Sequence, residues 1–304
     1  MNKSIIIGIA VLVILGSIIY IVVKPETNSN QATTANLIPV TEFTHSHGLA
    51  VDPFDQNKLY IATHHGLFVL IEDKNLYQVG ESKDDYMGFS VDSTEPNTFY
   101  SSGHPSYGGN IGFQKSENGG MSWKKLSDGI GGPVDFHAMT VSPVDSNYIF
   151  GWYQGKIQKS IDGGKNWKVV NDETLLVQLV ADPKYVDIVY GASPMKEGIL
   201  VSGDGGFSWV PLSPDLMPGQ VSAIAIDPKD SNKMLTFSEK MDGLASSSDR
   251  GLTWKKVPVE FDGTILYISF SASNSSIVYA ITHTNIIYKS TDGGEKWSEV
   301  LINK

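Results

Sequence analysis

Seven histidines are the residues of this chain best suited to chemistry, and they occupy two places in a repeating unit rather than scattering along it. One place lies four residues beyond the start of each second strand, counted from Tyr60, Tyr100, Phe150, Tyr190, Leu235 and Tyr279. It holds His64, His104, Gln154, Pro194, Glu239 and His283. The other place opens the first strand, where His47 and His137 stand, with His45, Asp85 and Asp135 two residues earlier in their units. His65 follows His64 directly. An antiparallel strand begins where its predecessor's partner ends, so both places fall at the same end of a sheet. The register therefore predicts all seven histidines around one mouth of a ring. Imidazole is the commonest transition-metal ligand, which makes His45, His47, His64, His65, His104, His137 and His283 candidate ligands. The chain has no cysteine, so thiolate sites are excluded, leaving zinc or copper(II), with nickel and iron as further choices. The competing reading is that these histidines sit at strand ends and satisfy backbone carbonyls.

Carboxylates share the mouth. Asp85, Asp135 and Glu239 are the candidate catalytic acids, with Asp84 and Asp262 beside them. Glycoside hydrolysis needs two such groups about 5 to 9.5 Å apart. Trp152 and Tyr153, with Tyr86 and Tyr107, could stack against sugar rings, while packing between strands is the alternative for Trp152 and Tyr153. The candidate ligand-binding set is thus His45, His47, His64, His104, His137, Trp152, Tyr153, Glu239 and His283. Residues 103–113, GHPSYGGNIGF, form either a lid over this mouth or an inert connector. No phosphate-binding loop and no Gly-x-Ser-x-Gly elbow is found.

A repeat must position these residues. The pattern Ser-x-Asp-x-Gly-x-x-Trp begins at Ser116, Ser160, Ser202, Ser247 and Ser290, in steps of 44, 42, 45 and 43 residues. A fixed period of that size marks a repeat architecture. Asp162, Asp204, Asp249 and Asp292 can bond turn amides, Asn118 replaces them in the first copy, and the glycine that follows can take positive φ. The pattern resembles the Asp-box, or BNR repeat, of sialidases, sortilin-type domains and photosystem assembly-factor propellers. Bacterial proteins of this kind are also labelled glycosyl hydrolases. The resemblance spans roughly residues 45 to 304 and implies a propeller in which the boxes are structural hairpins away from the ligand face. It does not choose between enzymes and binding modules. Sialidase activity is excluded, because three arginines hold the sialic acid carboxylate in that family and Arg250 is the sole arginine here.

Six units, anchored at Asp52, Asp92, Ser142, Asp182, Asp227 and Ser271, each read as four strands. The predicted fold class is therefore all-β: a six-bladed β-propeller of four-stranded antiparallel blades over residues 37–304. The segment LIPVTEF, residues 37–43, is expected to join the last blade and latch the ring. The Asp-Pro-x-Asp-x-Asn motif after the first strand reads as a turn and lacks the length and glycine of a calcium loop.

Residues 5–23 carry no charge over nineteen positions, about 28 Å as a helix, and no cleavage signature follows. The expectation is a single-pass membrane anchor over 1–23, a flexible linker over 24–36, and a propeller outside the cytoplasm. A net charge of −10 argues against nucleic acid. The expected function is a ligand-binding or assembly module working through the histidine mouth on a protein or glycan ligand. A glycan-acting enzyme and a transition-metal-binding protein are the alternatives.

Overall fold

The computed structural model describes residues 37–302. The expected anchor over 1–23 and linker over 24–36 lie outside the described residues. Among the described residues no helix is long and apolar enough to cross a membrane.

Six antiparallel sheets make up the fold, each from strands consecutive in sequence. Blade 1 contains β1 (Leu37–Pro39), β2 (Ser46–Val51), β3 (Lys58–Thr63), β4 (Gly66–Ile71) and β5 (Asn75–Val79). Blade 2 opens with β6 (Asp85–Val91) and β7 (Phe99–His104). The remaining blades begin at Ala138–Val141, Gln178–Ala181, Val221–Asp227 and Ile265–Phe270. These first strands line a central cavity of about 240 Å³ to which all six blades contribute. Strand alternation sends the other side chains between blades. There Tyr60, Phe89 and Phe99, for example, pack blade 1 on blade 2.

The segment at 37–43 departs from expectation. β1 pairs with β5, Leu37 opposite Val79, and so adds a fifth strand to the outside of blade 1 instead of joining the last blade. Register explains the choice: Val40 N–H continues the ladder onto Leu76 O at 3.0 Å. The apolar residues beyond β1 still serve closure, since Val40 and Phe43 pack in the cluster shared by blades 1 and 6. No strand is exchanged across that junction. It is held by the apolar cluster, by Val51 N–H on Ser269 Oγ at 3.0 Å, and by Asp73, which accepts from Tyr279 OH and pairs with Lys289 Nζ, both at 2.5 Å.

The five Ser-x-Asp-x-Gly turns share one geometry. Each serine Oγ accepts the N–H four residues on, from Gly120, Gly164, Gly206, Gly251 and Gly294, at 2.8 to 2.9 Å. The Asp or Asn carbonyl-type oxygen accepts that serine's hydroxyl and the amide four residues beyond itself, as Asp204 does from Ser202 and Ser208. The following Trp donates Nε1–H back to the glycine carbonyl in the last four copies. In the Asn118 copy, Trp123 Nε1 is instead buried without a partner, beside Tyr86 at 5.0 Å. These turns join third to fourth strands, so they lie at the opposite end of each blade from the first strand's start. The first strand's far end is closed by its own turn, where Asp52 Oδ1 accepts from Phe54 and Asp55 amides.

Candidate functional site

Three histidines converge at the junction of blades 1 and 2, and a buried aspartate is their hub. Asp85, the first residue of β6, is 2% exposed. His64 sits in the turn between β3 and β4, with its Nδ1 2.5 Å from Asp85 Oδ2. The turn is held in place from both sides: His64 N–H donates to His45 O, and Gly66 N–H donates to Asp84 O. Gly66 has a φ of +118°, and a Cβ there would stand 2.9 Å from Ser82 O, so this close approach requires glycine. His104 ends β7 opposite Asp85, placing Nε2 at 3.5 Å from the same oxygen. His47, on β2, directs Nε2 toward Asp85 Oδ1 at 3.9 Å. His45 and His47 rings are 5.2 Å apart, His47 and His64 4.1 Å, and His64 and His65 6.4 Å.

Two atoms at the centre are left over. His47 Nε2 and Asp85 Oδ1 are both buried without any hydrogen-bond partner, and Asp135 Oδ1 and Ser46 Oγ share that condition nearby. Buried polar atoms without protein partners are costly and are ordinarily met by an ordered water or an ion. Burial pushes the His47 imidazole down to about 4, with Asp85 opposing and His64, His45 and His137 reinforcing the shift. The ring is therefore neutral at pH 7, the state a metal ligand needs. One ligand atom each from His47, His64 and Asp85 all lie within 4.8 Å of one another. A tetrahedral ion with bonds of about 2.0 to 2.2 Å separates its ligands by roughly 3.5 Å, so the trio fits one transition-metal ion with small adjustments.

The other predicted positions divide. His137, at the start of blade 3, has Nε2 3.3 Å from Asp135 Oδ2. The Asp135 hydrogen bond raises its imidazole against the effect of burial, and Asp85 contributes at longer range. Glu239 is exposed at the rim of a cavity that His45 and His47 also line, and one of its oxygens accepts Gln220 N–H at 3.2 Å. His283 belongs to blade 6, where its Nδ1 accepts Thr264 N–H at 3.1 Å. Trp152 is not a platform at the mouth. Its indole donates to Thr174 O at 3.0 Å, and its ring packs between blades 3 and 4, because Trp152 lies opposite Ala138 in the ladder and points into the interblade layer. Tyr153 packs against the blade 2/3 core and its hydroxyl accepts from Asn110, so it anchors the 103–113 loop. Tyr86 is buried under Trp123, whereas Tyr107 is exposed at that loop's tip. The hub role of Asp85 was not assigned from sequence; the available signal was its position two residues before the first-strand site, the same as His45.

No protein-family model matches the chain. A xyloglucanase of Hypocrea jecorina (strain QM6a) is 25% identical over 229 residues, 65% of this chain and 25% of that protein. Among solved structures, the GH74 enzyme of Niastella koreensis superposes with a TM-score of 0.65 at 16% identity, covering 87% of this chain and 46% of that one. YCF48 from Cyanidioschyzon merolae gives a TM-score of 0.55 at 17% identity, covering 87% and 88% of the two chains. YCF48 has also been solved bound to D1 peptide, with a TM-score of 0.55 and 14% identity over 86% of this chain and 85% of that one. The chain spans about a quarter of the curated relative and about half of the GH74 structure. At these identities the structural likeness shows the fold alone: a propeller shared with the GH74 enzyme and with YCF48.

Proposed function

We propose that this propeller is a transition-metal-binding module, with His47, His64 and Asp85 holding a zinc or copper(II) ion at the channel mouth. His104 orients the Asp85 carboxylate. The observation that carries the reading is the facing pair of buried, unpartnered donors, His47 Nε2 and Asp85 Oδ1, 3.9 Å apart. A bound ion satisfies both at once. We further propose that the module works outside the cytoplasm, tethered to the cell membrane through residues 1–36, and presents this mouth to a protein or glycan ligand.

Because a ligand that binds only the folded state stabilises it by mass action, zinc or copper(II) should raise the thermal midpoint of the purified protein. At a hundredfold excess over Kd the gain is about 2.7 kcal/mol. His64→Ala with His47→Ala should abolish the rise while leaving a folded protein. An unchanged midpoint in native protein across zinc, copper(II) and nickel would overturn the metal reading.

A glycan-acting enzyme is the second reading, favoured by the 25% match to the xyloglucanase. Asp85, Asp135 and Glu239 are its candidate acids. Turnover of any β-glucan that is lost separately in Asp135→Asn and Glu239→Gln would establish it over the first reading.

A further inference from the structure

Three protein ligands leave a fourth position open on a tetrahedral ion, as in sites that take an exchangeable ligand. His47 is both a member of the trio and a wall of a cavity of about 570 Å³, lined by residues of blades 1, 4, 5 and 6. The volume suits a small organic molecule or a peptide end.

The two sides of this cavity differ in chemistry. On the blade 1 side stand His47 and Ser46, the latter 1% exposed with an Oγ that has no partner. Opposite are the Glu239 carboxylate, Gln220 and the Phe237 ring, and Tyr267 lies between. No lysine or arginine lines the cavity among the described residues. A carboxylate beside an aromatic ring in a site without lysine or arginine is the arrangement that favours an organic ammonium, through ion pairing and cation–π attraction.

Resting on the metal reading above, we propose that the cavity binds an organic ammonium compound that also carries a metal donor, the donor completing the ion's coordination and the ammonium lying against Glu239 and Phe237. Ser46 Oγ then has a partner in the bound molecule.

The test uses cobalt(II), whose visible spectrum reports a change of ligand, in the purified propeller. Two probes are compared: methylimidazole, and imidazole bearing a trimethylammonioethyl arm, whose quaternary nitrogen cannot chelate. Both should shift the cobalt spectrum, the cationic probe binding about fivefold more tightly, the upper range for an exposed ion pair. Glu239→Gln should bring the cationic probe down to the affinity of methylimidazole and leave methylimidazole unchanged. Cobalt uptake with no spectral response to either probe overturns this proposal and leaves the metal site standing. Equal affinities for the two probes in native protein overturn the ammonium assignment. Failure to take up cobalt, zinc or copper(II) at all overturns the metal reading, and this proposal falls with it.

Discussion

His47 is the residue on which the mouth turns, and its protonation has a direct consequence for stability. The unfolded chain takes up a proton at this position near 6.5, while the folded protein resists it down to about 4. Between those values the unfolded state holds more protons, so stability falls as pH falls through that window. His137 acts in the opposite sense: its raised imidazole adds stability at acid pH that is lost as pH rises. In metal-free protein, His47→Gln should flatten the decline in thermal midpoint between pH 6.5 and 4, and an unchanged slope would show that His47 is not the group responsible. The histidine register was legible in the sequence because equivalent positions of a closed repeat form a ring. Contact was not, since equal register says nothing about which blades adjoin or which way a ring turns. His47, His64 and His104 share Asp85 across one blade junction, whereas His283 spends its Nδ1 on Thr264 within its own blade.

At the scale of the element, the repeated turn joins third to fourth strand and makes no contact with the mouth. Gly206 has a φ of +93°, and a Cβ there would stand 3.1 Å from Val170 Cγ2. Gly206→Val should therefore cost about 1 to 3 kcal/mol in unfolding experiments while leaving metal uptake as it was. Loss of uptake at unchanged stability would make the turn a functional part. The same turns carry carboxyls that respond to acid. The Asn166, Ser208 and Thr253 side chains respectively hold Asp162, Asp204 and Asp249 down to about 2, aided by backbone amides. Such depressed carboxyls contribute stability above their ordinary range near 3.8, and it is lost as pH falls toward 2. Replacing all three by Asn, which position 118 carries already, should lower the thermal midpoint more at pH 7 than at pH 2, because the contribution removed is already lost in acid. The spacing of these turns made the blades readable, because serine, acid and glycine each have one local task. The allocation of β1 was not readable: three residues with two open edges to choose from are decided by tertiary contact, here with Asn75–Val79.

Across the whole molecule, ring closure depends on a single junction unlike the other five only in joining the two ends of the described chain. Asp73 concentrates its polar contacts, taking Tyr279 OH and Lys289 Nζ together. Asp73→Ala strands the Tyr279 hydroxyl, on a side chain 1% exposed, and should lower stability by about 1 to 3 kcal/mol. Asp73→Asn, which keeps an acceptor, should recover part of that loss. Equal midpoints for native and Asp73→Ala protein would assign closure to the apolar cluster alone.

Since every blade is completed by its own strands, the circle behaves as a belt with a buckle. Unfastened, it would keep six intact sheets and lose one interface. Near-ultraviolet signals from Tyr279 and its neighbours should then change on heating before the far-ultraviolet signal does. Blades 1 and 2, pinned to each other by Asp85, would travel together on one side of the gap, carrying His47, His64 and His104 with them undisturbed.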